Sequence, residues 1–352
     1  MDSASVAAAP AVEHRVAFHG SGGEYFGIWI VNLVLTILTL GIYSAWAKVR
    51  RLKYFYGQTE LAGARFDYHG NPRAILVGRL IGLLLFAAYT VATELVSWWT
   101  PVVLVLLAVV LPWLLRNAIR FQLHNSSYRG IRFAFDGRRA PAYVVFLLHP
   151  LLMLVTFYLT APLFHQRVKR YQLGNARFGA TAVQFHAGVG QFYRAYVPVM
   201  LLMLGLFVIV IGTIGAAVSG VEPGAEPDPR VIGGAALTSV LVIFGGLLVI
   251  GPIWLVRTQN LIWNHTSLGE HRFVSTLRVW PLLWIQLSNL VGIMLTFGLF
   301  MPWAAVRMAR YRAQNVRLIA AGEIDAFVAG TGAEVTAAGE ETAEIFDFDI
   351  GL

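Results

Sequence analysis

The sequence predicts an all-α polytopic membrane protein. Three observations carry that prediction: long apolar stretches, basic residues gathered into separate clusters, and a unit that recurs along the chain. Of 352 residues, 57% are apolar and 13% charged, with a mean hydropathy of +0.64. Ordinary soluble domains carry about 25% charged residues, so a water-soluble globule is excluded. A membrane span needs about 20 mostly apolar residues to cross about 30 Å of hydrocarbon. Residues 74–95, 100–115, 196–219 and 231–255 are the clearest candidates. Residues 26–46, 143–164 and 280–303 are also long and apolar but contain polar or helix-breaking residues.

The basic clusters set the topology, because Lys and Arg are retained on the cytoplasmic side. Six lie within 48–73, six within 116–139, five within 167–194, three within 257–278 and four within 307–317. The links at 94–100 and 219–230 hold no basic residue and one, respectively, and are expected outside. If all seven stretches crossed once, the clusters at 116–139 and 167–194 would face opposite sides. Two transmembrane hairpins plus three broken or re-entrant segments remove that conflict. The alternative is seven spans that tolerate the exception.

The recurring unit is a basic residue, often beside an aromatic, followed five positions later by an amide and then by Gly and Phe. Its copies are Lys53-Tyr54 with Gln58, Arg120-Phe121 with Asn125, Arg170-Tyr171 with Asn175, a degraded copy at Asn264, and Arg310-Tyr311 with Asn315. Five quasi-repeats are therefore expected, each a basic cytoplasmic helix, a Gly turn and a short strand such as RFDYHG or RFAFDG. Equivalent motifs should share a side, so the interrupted stretches should enter and leave on it.

Those three stretches also align with one another. Thr39, Thr156 and Thr296 lie seven residues before Trp46, Leu163 and Trp303, and Asn32, His149 and Asn289 lie fourteen before them. The break near the end of each stretch leaves a return arm of about six residues, roughly 9 Å if helical. A membrane domain is expected over 24–318, between an N-terminal cytoplasmic segment, 1–23, and an acidic tail, 319–352. The chain after Arg317 has eight acids and no Lys or Arg. It is expected to be disordered or to fold back on the basic face through Ile345, Phe346, Phe348 and Ile350.

The segments FHGSGGEYF, LTILTLGIYSAWAKVRRLKYFYGQTELAGARFDYHG and LTFGLFMPWAAVRMARYRAQNVRL resemble the YjgN family of bacterial inner-membrane proteins, a domain of unknown function. The resemblance runs over about residues 16–318. It implies the cytoplasmic membrane of a bacterium and brings no activity and no catalytic residues.

Little reaction chemistry is present. The absence of cysteine excludes disulfides, thiolate metal sites and cysteine nucleophiles. GSGGEYFG, at residues 20–27, departs in spacing from a dinucleotide fingerprint and reads as a turn before an interfacial segment. The nine histidines show no metal-ligand spacing. No cofactor, no metal and no enzymatic activity are expected, and the membrane accounts for the positive charge without nucleic acid. The opening residues lack the pattern of a cleavable signal peptide, so insertion is expected to rely on the first membrane segment. Arg79 is expected to snorkel to a cytoplasmic helix end.

Two functions remain. One is a passive channel or transporter for a small solute or ion, its path lined by Asn32, His149, Asn289, Thr39, Thr156 and Thr296. The same groups also suit interhelical hydrogen bonding. The other is a non-catalytic module that binds anionic lipids, or a protein partner, through Arg50, Arg120, Arg170 and Arg310. The sequence does not specify an oligomeric state.

Overall fold

The computed structural model describes residues 12–95, 100–219 and 228–339. Short strands alternate with helical excursions. β1 (Val12–Arg15) and β2 (Ala17–Phe18) precede α1 (Gly22–Leu38) and α2 (Ser44–Gly57). β3 (Thr59–Leu61) and β4 (Ala64–Tyr68) lead to α3 (Pro72–Leu95) and α4 (Thr100–His124). After β5 (Ser126–Tyr128) and β6 (Ile131–Phe135) come α5 (Arg139–Tyr143), a π-helical stretch (Val144–Leu148), α6 (His149–Val155) and α7 (Ala161–Gly174). β7 (Ala176–Phe178) and β8 (Thr181–Phe185) are followed by α8 (Val189–Ser219) and α9 (Pro229–Asn264). β9 (Thr266–Leu268), β10 (His271–Ser275), α10 (Val279–Leu295), α11 (Met301–Gln314), β11 (Val316–Ala320) and α12 (Ile324–Gly339) complete the order.

The strands form one eleven-stranded sheet in the order β1-β11-β10-β9-β8-β7-β6-β5-β4-β3-β2. β1 pairs with β11 at one end and β2 with β3 at the other. Both belong to the single segment 12–18, so the sheet closes into a ring. Alternation along each strand sends one parity of side chains inward, where Leu61, Phe66, Tyr128, Phe133, Phe178 and Leu318 share one core. The other parity places Arg65, Arg132, Arg177, Arg272 and Arg317 outside, registered with Glu60, Ser127, Ala134, Ile319 and Arg15 respectively. Turns Ala62-Gly63 and Arg129-Gly130 have positive φ at both central residues, as two-residue hairpins of the favoured twist require.

α12 lies across the turn end of this ring. Ile324 and Phe327 enter the core, Arg129 pairs with Asp325, and the Thr181 and Thr331 hydroxyls meet at 3.3 Å. The ring is therefore filled by aromatic side chains and capped. Residues 340–352, which include Ile345, Phe346, Phe348 and Ile350, lie outside the described residues.

Each helical excursion leaves the ring and returns beside the strand it left. One backbone hydrogen bond closes each base: His19 N–H to Gln58 O at 2.9 Å, His69 to Asn125 at 2.7 Å, Asp136 to Asn175 at 2.9 Å, His186 to His265 at 2.9 Å and Thr276 to Asn315 at 3.0 Å. Two excursions consist of helices long and apolar enough to cross a membrane, with spans at Pro72–Val91, Thr100–His124, Val189–Ser219 and Pro229–Asn264. The other three are short helical hairpins.

The structure departs from two expectations. The chain is not all-α, because the short strands anticipated after each helix pair into a continuous sheet. The return arm of a short hairpin is also more than a six-residue stub. α2, α7 and α11 each have 14 residues, about 21 Å, because the whole basic helix serves as the return arm. Pro162 and Pro302 stand in the first turns of α7 and α11, where a missing N–H costs nothing.

Candidate functional site

The three short hairpins carry every path residue singled out from the sequence, and their tips share one geometry. Leu40, Phe157 and Phe297 have φ of 49°, 48° and 49°, and the next residue, Gly41, Tyr158 or Gly298, is also left-handed. That conformation is unfavourable for Leu and Phe, so something must hold it. The threonine does. Thr39, Thr156 and Thr296 each donate Oγ1–H to the carbonyl four residues back, at 2.7, 2.8 and 2.7 Å. The same oxygen accepts the N–H four residues ahead, from Tyr43, Thr160 and Phe300 at 2.9, 3.4 and 2.9 Å. Each threonine thus brackets its own turn.

The bases of these hairpins are clasped by the aromatic of the recurring unit. Tyr54 OH donates to Ser21 O at 3.0 Å, Tyr171 OH to Arg138 O at 2.9 Å, and Tyr311 OH to Arg278 O at 2.8 Å. In α4, one of the four helices long and apolar enough to cross a membrane, the matching residue is Phe121, which has no hydroxyl. Gly22, within GSGGEYFG, permits close packing of α1 on α11: a Cβ there would lie 2.1 Å from Trp303.

The predicted polar trio is divided among the hairpins. Asn289 is buried between α10 and α11, where its Oδ1 accepts Arg307 Nη1–H at 2.7 Å. Arg307 Nη2 donates to Ser288 Oγ at 2.9 Å. Asn32 is equally buried on α1, yet among the described residues its Oδ1 has no partner. His149 belongs to the hairpin between the two pairs of long apolar helices, and its Nδ1 donates to Val144 O at 2.7 Å, the carbonyl of the π-helical stretch.

Basic clefts flank the hairpins. One of about 750 Å³ is lined by His149, Arg167, Arg170 and Tyr171. Another of about 620 Å³ is lined by Asn32, Lys48, Arg51 and Arg79, and a third of about 610 Å³ by Arg50, Lys53 and Tyr54. Among the described residues, none of the three has a carboxylate in its wall. The arginines expected to meet lipid, Arg50, Arg120, Arg170 and Arg310, are all exposed, and Arg310 also donates to Gly20 O at 2.8 Å.

Residues 13–345 match the family described as "Bacterial protein of unknown function (DUF898)". The chain belongs to the DUF898 family. Among its relatives is Inner membrane protein YjgN of Salmonella typhimurium, 25% identical over 89% of each chain. The proteins of the same name from Escherichia coli O157:H7 and K12 are 31% and 33% identical. These cover 43% and 40% of this chain and 39% and 36% of theirs. No solved structure matches. With four helices able to cross a bilayer, this DUF898 member is a bacterial inner-membrane protein.

Lys48, Arg51, Arg79 and Arg307 were not singled out as functional from the sequence. The available signal was Arg79 itself, an ionisable residue inside an apolar stretch, which marks a site by default.

Proposed function

We propose that the protein is a non-catalytic inner-membrane module that binds anionic lipid headgroups in the basic clefts of its short helical hairpins. One observation carries this reading: three clefts, each lined, among the described residues, by at least two Lys or Arg side chains and by no Asp or Glu. Each such cation near an anionic membrane surface contributes about 1 kcal/mol of attraction. Five quasi-repeats with cytoplasmic basic helices belong to the same reading, supported by the similar closure of all five excursions and by the positive-inside tendency.

Arg50, Arg120 and Arg170 changed together to Gln should lower the anionic lipid that copurifies, with the protein still inserted. Unchanged lipid content would contradict the proposal. Arg310 is left intact because of its bond to Gly20.

A solute path through Asn32, His149, Asn289 and the three threonines is the second reading. It draws on the circuit of excursions, in which α2 packs on α3, α4 on α5, α7 on α8, α9 on α10 and α11 on α1. Any axial path would have to displace the aromatic core and α12. Flux of an ion or small solute into liposomes, blocked by Asn32→Leu with Asn289→Leu, would favour it over lipid binding.

A further inference from the structure

Arg79 does not bend back toward the ring. It lies two turns past Pro72 on α3, roughly 10 Å along the axis, and its guanidinium donates to Ser44 Oγ, at the first residue of α2. There it joins Lys48 and Arg51 in the cleft of about 620 Å³ that also touches Trp29, Asn32 and Leu33. Among the described residues none of these three cations forms an ion pair. The start of α2 adds its own positive dipole. Like charges gathered against an apolar wall repel unless an anion sits among them.

A second observation is independent of charge. Asn32 is on the cleft wall, 7% exposed, and its Oδ1 has no donor. A buried amide oxygen left this way is unfavourable. The corresponding Asn289 receives its donor from Arg307; at Asn32 none of the described residues supplies one.

We infer that this cleft binds the headgroup of one anionic phospholipid, its phosphate held by Lys48, Arg51 and Arg79 and a headgroup hydroxyl donating to Asn32 Oδ1. The surroundings select a lipid over a free anion. Ile37 on α1 and Leu83 on α3, one turn beyond Arg79, are 65% and 62% exposed, and acyl chains would cover this apolar surface while the phosphate reaches the cations. A free phosphate would leave it bare. The assignment rests on the lipid-binding reading above and narrows it to a single site.

The test is native mass spectrometry of the full-length protein released from nanodiscs of phosphatidylglycerol mixed with phosphatidylcholine. The expected result is one preferentially retained phosphatidylglycerol. Retention should fall roughly fivefold for each cation removed by Lys48→Gln and Arg79→Gln, and Arg79→Lys should keep it. Asn32→Leu should erase the preference for phosphatidylglycerol over phosphatidylmethanol, which lacks the headgroup hydroxyl. Unmodified protein that retains phosphatidylglycerol no better than phosphatidylcholine overturns the inference without any variant. Displacement of the lipid by inorganic phosphate would make this a free-anion site and overturn the lipid assignment. If Lys48→Gln/Arg79→Gln retains the lipid while the Arg50, Arg120 and Arg170 triple variant loses it, this site fails and the broader reading stands. Retention in both variants overturns both.

Discussion

The hairpins α1/α2 and α10/α11 are geometric twins that treat the same asparagine differently. Their turns match in φ and in the threonine bracket, and both bury an asparagine fourteen residues before a tryptophan. In α10/α11, Arg307 satisfies that asparagine and takes Ser288 as a second acceptor. The arginine at the matching position of α2 is Arg50, which instead lies 6.0 Å over the Tyr43 ring. The position matching Ser288 is Val31, so a guanidinium turned inward there would find one acceptor fewer. The hydroxyl of Ser288 belongs to a closed network in one hairpin, and its counterpart in the other is Val31 beside an unpartnered amide oxygen. Nearly identical backbones can therefore hold a finished interior or an open site.

The comparison presumes that both hairpins return to the side they left, and this is where the largest effect is expected. Single cysteines at Arg65, Arg132, Ala182, Glu270 and Glu323, one near each ring turn and all exposed, should resist an impermeant maleimide in intact cells and react after permeabilisation. Labelling of Arg132→Cys with protection of Ala182→Cys would restore seven single crossings.

Next in size is the paired substitution. Asn289→Leu leaves the Arg307 guanidinium short of an acceptor and should cost about 2 kcal/mol, seen as a lower thermal midpoint in detergent. Asn32→Leu removes an oxygen that has no partner, so lipid-free protein should keep its midpoint or gain. Equal losses at the two positions would show that the twins are not distinguished as described.

Val31→Ser sharpens the comparison by supplying the absent hydroxyl. Arg50 should then turn inward to Asn32, stabilising lipid-free protein by about 1 kcal/mol and weakening retention of phosphatidylglycerol. An unaltered midpoint would mean that the Tyr43 contact, and not the missing acceptor, holds Arg50 outside.

The smallest effect concerns the ring from which both hairpins hang. His271 is buried, its Nδ1 accepts the Ala321 N–H at 3.2 Å, and its ring meets Phe327 of α12 at 4.5 Å. Burial holds its pKa below the ordinary 6.5. The unfolded chain binds the proton more readily, so this contribution is complete above about pH 6.5 and is lost as pH falls through the lowered value. Amide exchange in α12 should quicken below that range, and His271→Gln should flatten the dependence.

Much of the architecture was legible in the sequence. The clustered Lys and Arg and the amides at Gln58, Asn125, Asn175 and Asn315 pointed to excursions that return, and these amides do stand at the bases of the helices. The ring was not legible, because strands of two to five residues give too little alternation to read, and its closure depends on segment 12–18 meeting strands far away in sequence. Thr39, Thr156 and Thr296 were found through their spacing, yet that spacing reflects the turn they bracket. In the sequence Arg79 reads only as a snorkelling cation, because its partner, Ser44, lies 35 residues away in a different helix.

A structure determined in nanodiscs containing phosphatidylglycerol tests the difference between the twins most directly. The account predicts headgroup density among Lys48, Arg51 and Arg79, with Asn32 in contact, and none at Asn289, where Arg307 stays bonded. A cleft holding only water, or Arg50 bonded to Asn32 as Arg307 is to Asn289, would contradict it.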